Sequence, residues 1–312
     1  MDANISSALA NWIPYKLSYD EGRPRCEWLY TGDEDFTEPF FDETITRFRQ
    51  LNYRSRKSIS SIDILPHWSK DIESVPPSAF IFHVSRCGST LASQLLALDR
   101  SNIVLSEVPF FDALLRSEKN ISHQLLKAAI AFYAPVKKNR KRLFIKTDSW
   151  HIFFYKQIRE LYPQTPFVLL YRRPDEVVRS QQKQRGMHAI PGLIEPALLG
   201  FDSNEVQHMN LDEYIGNVLE KYFQTFLHIV EEDALAIPVN YSEGPVAMVE
   251  KIAGISGTSI SYTEMEKIKS RAMYHAKYPE RVFAEEAIRD RVPAYCRAAY
   301  EKYEALELRR NS

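Results

Sequence analysis

From residue 79 onward, apolar and polar positions follow two alternating patterns along the chain. Short, continuously apolar runs predict β-strands, and the segments between them repeat apolar residues at the spacing of an amphipathic helix. The predicted strands are 79–84, 103–106, 143–146, 167–171 and 235–239, and the predicted helices are 89–99, 110–116, 121–133, 149–161, 174–184, 211–232 and 245–254. Because such strands alternate with helices, the pattern predicts an α/β fold, a three-layer parallel β-sheet flanked by helices.

The first 78 residues show a different pattern. It predicts a strand at 26–31 and a helix at 39–51, and the prolines of 75–78 end the segment. This segment is too short to be trusted as an independent core. We therefore expect residues 1–78 to form a small N-terminal elaboration packed on a main domain of residues 79–312.

Two further segments have weaker patterns. Residues 185–210 contain glycine and proline with little periodicity, which predicts a mobile loop over one edge of the sheet. Residues 283–309 have the pattern of a surface helix.

Composition restricts the class of protein. The 312 residues include 40 Lys and Arg and 41 Asp and Glu, a formal net charge of −1, so we expect no nucleic-acid partner. The sequence has neither a spanning apolar run nor the pattern of a signal peptide, and we expect a cytoplasmic protein without a membrane span. Its three cysteines, Cys26, Cys87 and Cys296, fit neither a disulfide framework nor a zinc site, and no metal is expected. The oligomeric state is not indicated.

The segment 80–96 carries the most specific chemistry. An apolar run stops at Ser85-Arg86-Cys87-Gly88-Ser89-Thr90, and an amphipathic segment follows at once. Backbone N–H groups at a helix N-terminus are unpaired and carry partial positive charge, so the Ser85–Thr90 turn predicts an anion site. It lacks the second glycine and the lysine of a Walker A loop. Taken alone, it is equally compatible with an ordinary turn that Ser89 or Thr90 caps.

Polar residues also follow the other predicted strands. Since ligands bind at the carboxyl ends of parallel strands, we expect these residues to share one edge of the sheet. Arginine suits two-pronged capture of phosphate or sulfate, and lysine acts as a point charge. The residues are Glu107, Lys146 and Asp148, Arg172 and Arg173, and Ser180 on the helix that follows.

Each of these residues also has a structural explanation. The two arginines could form surface ion pairs with Asp175 or Glu176. Glu107 could cap the helix that follows it, because acidic side chains favour helix N-termini. Lys146 could be a solvated residue at the end of its strand, and Ser180 alone is typical of a polar helix face.

The joint pattern resembles the sulfotransferases that use 3′-phosphoadenosine 5′-phosphosulfate (PAPS), over residues 79–256. The Ser85–Thr90 turn is similar to their phosphosulfate loop P-[KR]-S-G-T-[ST], with Ser85 in place of proline and Cys87 in place of serine. Arg172-Arg173-Pro174 with Ser180 is similar to their R-x-P segment, whose serine follows the arginine by eight residues. Residues 238–243 resemble their V-x-Y-E-D-L segment in part.

The resemblance implies a P-loop NTPase-like sulfotransferase fold and transfer of a sulfuryl group from PAPS, without a metal, to a hydroxyl or amine of a small-molecule or glycan acceptor. It implies that Ser85, Arg86, Cys87, Gly88, Ser89 and Thr90 bind the 5′-phosphosulfate and that Arg172 and Ser180 bind the 3′-phosphate. Lys146 is then expected to neutralise the bridging oxygen as the bisphosphate leaves.

The catalytic base is where the sequence departs from part of the family. Many cytosolic members carry K-T-H after the third strand, but this chain has Lys146-Thr147-Asp148, without the histidine. The branch that acts on glycans has a glutamate in K-E-x-H-F-F-D, and residues 106–112 retain the glutamate and the Phe-Phe-Asp. The resemblance therefore implies Glu107 as the base, with Asp148 as second choice. The R-K-G-x-x-G-D-W-K segment of the cytosolic branch is absent.

Two other classes remain open. One is a P-loop kinase of small molecules, against which the missing Walker lysine and the R-x-P segment argue. The other is a non-catalytic relative that keeps a nucleotide-binding fold.

Overall fold

The computed structural model describes residues 9–32, 34–51, 57–117, 124–137, 139–274, 276, 280–282 and 292–311. The strands are β1 Trp12–Asp20, β2 Arg23–Tyr30, β3 Lys57–Ser61, β4 Pro77–His83, β5 Asn102–Ser106, β6 Arg142–Lys146, β7 Phe167–Tyr171 and β8 Ala236–Asn240. The α-helices are α1 Phe41–Leu51, α2 Ile64–Trp68, α3 Ser89–Leu96, α4 Pro109–Leu115, α5 Gln124–Tyr133, α6 Tyr155–Leu161, α7 Pro174–Lys183, α8 Ser203–Gln207, α9 Leu211–Glu232, α10 Pro245–Ile255, α11 Tyr262–Ala272 and α12 Arg297–Asn311. None of these described helices is long and apolar enough to cross a membrane.

The predicted α/β fold is confirmed. Each of the five strands predicted after residue 78 is present, and they form one sheet in the order β5-β6-β4-β7-β8 with helices around it. The pairs β4–β7, β5–β6 and β7–β8 are parallel. All five residues of β7 are buried, as expected for a strand in a sheet that is covered on both faces.

The described chain divides into two compact units. The first comprises Met1–Ala79, Leu96–Asp148 and Lys156–Thr165, and the second comprises Phe80–Leu95, Ser149–Tyr155 and Pro166–Ser312.

The first unit contains an antiparallel sheet that the sequence pattern did not predict in full. Its order is β1-β2-β3, and only β2 was predicted. The left-handed Glu21 and Gly22 make the tight turn between β1 and β2. Trp28 of β2 packs on Phe132 and Trp68, with ring centroids 4.8 and 5.4 Å apart. Aromatic packing of this kind gives the N-terminal residues a core within the first unit.

The second unit corrects the prediction for residues 185–210. Short 3₁₀ turns at Met187–Ala189 and Pro196–Leu199 and the helix α8 lie within them. His188 and Leu199 are buried there, so these positions pack on the rest of the unit.

The C-terminal helix begins later than predicted. Part of the predicted 283–309 helix, residues 283–291, lies outside the described residues. The described helix α12 starts at Arg297, after a 3₁₀ turn at Ala294–Cys296. Pro293 explains the late start, because proline disfavours the helical conformation in the residue before it.

Helix α11 was also missed by the apolar pattern. It begins with a capping box, in which the Ser261 side chain bonds the Glu264 backbone N–H and the Glu264 side chain bonds the Ser261 backbone N–H. Such a Ser-x-x-Glu pair is a sequence indication of a helix start and could have located it.

Candidate functional site

The Ser85–Thr90 turn connects the end of β4 to the start of α3. Ser85, Arg86 and Gly88 have φ angles of 64°, 50° and 81°. Left-handed backbone costs a non-glycine residue about 1–2 kcal/mol, so two such residues in succession need support from their surroundings. Successive backbone N–H groups in such turns form concavities that bind anions.

Side chains of the same unit hold this turn. The Ser85 backbone N–H donates to Nδ1 of the buried His83 at 3.0 Å. The Cys87 thiol is fully buried and donates to the Leu170 carbonyl oxygen at 3.4 Å. Cys87 therefore fixes the turn to β7 from within the core, and its side chain is not exposed to a ligand.

Gly88 is required by space as well as by its φ angle. A Cβ at this position would lie 2.7 Å from Cδ2 of the Tyr241 ring and 3.4 Å from Cε of Met248. The turn can thus lie against an aromatic ring only because residue 88 has no side chain.

The neighbouring parallel strands β4, β7 and β8 of the second unit end at the same edge of the sheet, where the Ser85–Thr90 turn begins. His83 of β4 is paired with Leu170 of β7, and Tyr171 of β7 is paired with Asn240 of β8. The residues that follow β7 and β8 therefore emerge at the same sheet edge as the turn. They are Arg172 and Tyr241.

Tyr241 contacts both the turn and the arginine. The Arg172 guanidinium carbon lies 4.3 Å from the centroid of the Tyr241 ring, within cation–π distance. The other contact is the close approach to Gly88 described above. The sequence pointed to this residue only through the partial likeness of 238–243, because its role depends on the proximity of two other loops.

The ion pairs considered for the two arginines are present. Arg172 Nε lies 2.7 Å from Glu176 Oε2, and Arg173 Nε lies 3.0 Å from Asp175 Oδ1. The carboxylates are buried rather than on the surface, with side chains 9 % and 0 % exposed. An arginine has five N–H donors, so a bond from Nε fixes the direction of the guanidinium without using all of them.

Ser180 lies on the helix that begins at Pro174. Proline suits this first helical position, since its missing N–H needs no partner there. Ser180 is half-buried on the same helix. Its binding to a phosphate stays a prediction.

In the first unit, Glu107 and Lys146 form an ion pair. Ser106 of β5 is paired with Lys146 of β6, so Glu107 follows directly beside the lysine. The Glu107 backbone N–H donates to the Lys146 carbonyl oxygen at 2.8 Å, and Lys146 Nζ lies 2.8 Å from Glu107 Oε1. Glu107 has a φ angle of 55°, a third strained position among the predicted site residues.

The structural alternative for Lys146, a solvated residue at the end of its strand, is wrong. Val108, not Glu107, holds the N-cap position of α4. The Lys146 side chain is fully buried, whereas that of Glu107 is 24 % exposed. Lys146 is thus held inside the unit by its carboxylate partner, which itself reaches solvent.

Two N-terminal residues lie near this ion pair, and neither was predicted from the sequence. The Phe40 ring centroid lies 5.0 Å from Lys146 Nζ. Burial raises the pKa of Asp42, and the negative charge of Glu107 raises it further. Residues before 79 therefore contribute to the surroundings of the predicted base within the first unit.

Asp148, the second choice for the base, follows β6 in irregular structure. It is half-buried, two positions after Lys146, and the intervening Thr147 is buried. A catalytic role for Asp148 stays a prediction.

Comparisons with known proteins give likenesses of structure only. No family model and no curated protein matches the sequence. Among solved structures, a sulfotransferase from Alicyclobacillus acidocaldarius is similar over 63% of this chain and 91% of its own, with 15% identity and a TM-score of 0.41. The sulfotransferase domain of the curacin biosynthetic pathway is similar over 63% of this chain and 78% of its own, with 15% identity and a TM-score of 0.42.

A sulfotransferase from Mycobacterium avium is similar over 79% of this chain and 78% of its own, with 11% identity and a TM-score of 0.47. TM-scores below 0.5 at these identities do not establish a family, an activity or a substrate for this chain. The functional argument therefore depends on the residues and contacts of the chain itself.

Proposed function

We propose that this protein transfers a sulfuryl group from PAPS to a hydroxyl or amine of a small-molecule or glycan acceptor. The observation that carries the proposal is the contact of Tyr241 with both Gly88 and Arg172. This ring therefore contacts both the Ser85–Thr90 turn and an arginine. PAPS needs such a pair of positions, because it carries anionic groups at both its 5′ and 3′ ends.

The proposed donor site lies in the second unit. Arg86 and the backbone N–H groups of Gly88, Ser89 and Thr90 bind the 5′-phosphosulfate. Arg172, with Ser180, binds the 3′-phosphate. The turn lacks the Walker A lysine, which would bind the β- and γ-phosphates of a nucleoside triphosphate.

The proposed chemistry uses the ion pair of Glu107 with Lys146. The acceptor oxygen attacks sulfur, the bond from sulfur to the 5′-phosphate oxygen breaks, and adenosine 3′,5′-bisphosphate leaves. Charge spreads over the peripheral oxygens as in phosphoryl transfer, so positioning and hydrogen-bond donors dominate catalysis. Glu107 accepts the proton of the acceptor hydroxyl, and Lys146 neutralises charge on the leaving group.

The geometry of the ion pair supports these two roles. Glu107 is the partly exposed member of the pair, so its carboxyl group is open to an acceptor hydroxyl. The buried Lys146 is the cationic partner, and its ammonium is held at a fixed place by Glu107 and the Phe40 ring.

Binding of the donor class can be tested without knowing the acceptor. We expect adenosine 3′,5′-bisphosphate to raise the melting temperature of the chain and ATP with Mg²⁺ to leave it unchanged, because a ligand stabilises the state that it binds. Stabilisation by ATP with Mg²⁺ alone would support the kinase alternative and overturn the proposal.

The role of Arg172 gives a sharper version of this test. Arg172→Gln should weaken binding of adenosine 3′,5′-bisphosphate in calorimetry but leave binding of adenosine 5′-phosphate, which lacks the 3′-phosphate, nearly unchanged. Arg297→Gln, at an exposed position, is the matched control. An equal loss for both ligands would contradict the assignment of Arg172 to the 3′-phosphate.

Catalysis is tested with PAPS that carries labelled sulfate. Incubation with a cell extract should label an acceptor, and mass spectrometry of the product should identify it. Bisphosphate binding without transfer to any acceptor would support the non-catalytic alternative instead.

A further inference from the structure

The Ser85 hydroxyl has a buried partner on helix α7. Gln181 Nε2 lies 3.4 Å from Ser85 Oγ, a long hydrogen bond, and Gln181 has no exposed surface. In the described part of the chain, this is the one hydrogen bond of the Ser85 hydroxyl. The bond joins a polar core residue to the first residue of the Ser85–Thr90 turn.

The direction of this hydrogen bond is fixed by the other contacts of Gln181. The Gly186 backbone N–H donates to Gln181 Oε1 at 2.8 Å, which identifies that atom as the amide oxygen. Nε2 is therefore a donor with two hydrogens. One is directed to Ser85 Oγ, and the other to Nε2 of His188 at 3.1 Å.

His188 must then accept through Nε2, because an amide nitrogen has no acceptor capacity. His188 is 3 % exposed, and its ring lies 6.1 Å from that of Tyr222. The three contacts together hold the Gln181 amide in one orientation. That orientation makes the Ser85 oxygen an acceptor and leaves its hydrogen for a different partner.

We propose that Gln181 and His188 are positioning residues that aim the Ser85 hydroxyl hydrogen at an anion bound in the Ser85–Thr90 turn. This inference rests on the proposed function and names a ligand group for its donor site. The anion is the 5′-phosphate or 5′-phosphosulfate of the nucleotide. Ser85 adds one O–H donor to the backbone N–H groups of the turn.

This donor is a property of this chain rather than of the resemblance. The loop that the turn resembles has proline where this chain has Ser85. Proline fixes φ near −65°, whereas Ser85 has a φ of 64°, so proline does not fit this backbone. A second contact joins the same segments, since Arg86 Nη2 donates to the Gln184 carbonyl oxygen.

Two substitutions at position 85 separate the effect of the hydroxyl from the effect of backbone strain. Ser85→Ala removes the hydroxyl but keeps a Cβ on the strained backbone, whereas Ser85→Gly removes the hydroxyl and also relieves the strain. We expect both variants to bind adenosine 3′,5′-bisphosphate about 10- to 100-fold more weakly in calorimetry, the usual effect of a hydrogen bond to a charged group. Binding of adenosine 3′-phosphate, which lacks the 5′ group, should stay within about twofold.

The positioning role is tested by coupling. Gln181→Met keeps the length of the side chain and removes the donor, and we expect it to weaken bisphosphate binding about fivefold. In a Ser85→Ala background the same substitution should have almost no further effect, because its target is gone. A purely structural role for Gln181 would instead give equal losses in both backgrounds and equal losses for adenosine 3′-phosphate.

The outcomes distinguish this inference from the function beneath it. If the unchanged chain binds the bisphosphate and both Ser85 variants bind it equally well, the inference is wrong and the proposed function stands. If the unchanged chain does not bind the bisphosphate, both are wrong. Should Gln181→Met fail to fold in a thermal melt, the two Ser85 variants decide the question alone.

Discussion

At the scale of single residues, backbone strain coincides with the predicted chemistry. In the described part of the chain, four non-glycine residues have positive φ angles, and three of them are Ser85, Arg86 and Glu107. Such strain persists only where surrounding contacts impose it, and it is often found at binding and catalytic sites. The fourth, Glu21, lies in the tight turn between β1 and β2, where strain has an ordinary explanation.

The proposed proton-accepting role of Glu107 can be tested by Glu107→Gln. The amide keeps the shape of the side chain but cannot accept the proton, so we expect transfer to fall by about two to four powers of ten. Bisphosphate affinity should be unchanged. The measurement is turnover of labelled PAPS beside calorimetric binding.

Glu301→Gln, at an exposed position of α12, is the control for Glu107→Gln and should keep full activity. Full activity in Glu107→Gln together with a large loss in Asp148→Asn would transfer the role of base to Asp148.

The requirement for glycine at position 88 predicts a loss of stability in Gly88→Ala. The new Cβ would lie 2.7 Å from the Tyr241 ring on a backbone with φ of 81°, so we expect unfolding in urea to show a loss of about 1–3 kcal/mol. Gly254→Ala is the matched control, because a Cβ at this position would meet no neighbouring residue within 4 Å and the φ of Gly254 is not left-handed. It should be neutral or stabilising by up to about 1 kcal/mol. Equal stabilities for the two variants would contradict the contact.

At the scale of elements, α9 depends on one close backbone approach. A Cβ on Gly216 would lie 2.1 Å from the Tyr295 carbonyl oxygen, just before α12. Gly216→Ala should therefore destabilise the protein by about 1–3 kcal/mol or more, although alanine is the better helix former. Gln224→Ala, at an exposed position of α9, should change the free energy of unfolding by no more than about 0.5 kcal/mol. A stabilised Gly216→Ala variant would show that the two segments lie farther apart.

Strands with continuous apolar runs could be predicted from the sequence, whereas β1 could not. β7 is buried at every position, and its bounds were predicted as Phe167–Tyr171. β1 mixes buried residues with exposed ones towards its end, and a sheet partner rather than a local pattern defines it. Strand formation of this kind depends on pairing, which a local pattern does not contain.

The site divides along the same line. Arg86, Arg172, Glu107 and Lys146 could be proposed from the sequence because each stands at or just after the end of a predicted strand. Phe40, Asp42 and Gln181 were missed, since they come close to the predicted site residues only through the tertiary fold. Tyr241 was indicated only by the partial likeness of 238–243. Sequence motifs therefore point to the candidate binding residues, whereas the residues that hold them in place depend on tertiary packing.

At the scale of the whole molecule, carboxylates in both units set the response to acid. Burial raises the pKa of Glu307, but hydrogen bonds from Arg310 and Tyr171 together outweigh this effect. The pKa of Glu307 is therefore below its ordinary value. The pKa of Glu38 is lowered in the same way, against its burial, by hydrogen bonds from Thr44 and Arg47. Lowered pKa values in the folded state stabilise it above the ordinary value of about 4.3, and this stabilisation is lost as pH falls through the folded value.

We therefore expect the urea midpoint of unfolding to be steady near neutral pH and to fall below about pH 4.3. Asp42 acts in the opposite direction. Its raised pKa means that the fold disfavours its charged form, and protonation removes this destabilisation. In Glu307→Gln the urea midpoint should fall less steeply as pH is lowered. Glu304→Gln, at an exposed position, should leave this slope unchanged. The same acid slope in all three chains would contradict the lowered pKa of Glu307.

The left-handed serine that begins the Ser85–Thr90 turn has a consequence for which residues this position tolerates. Glycine would adopt a φ of 64° without cost, so selection of a randomised library for folding alone should enrich glycine, followed by asparagine, at position 85. Selection for sulfuryl transfer should instead retain serine. The difference between the two enriched sets would measure how far this residue gives up stability for function, a trade-off readable from sequencing counts alone.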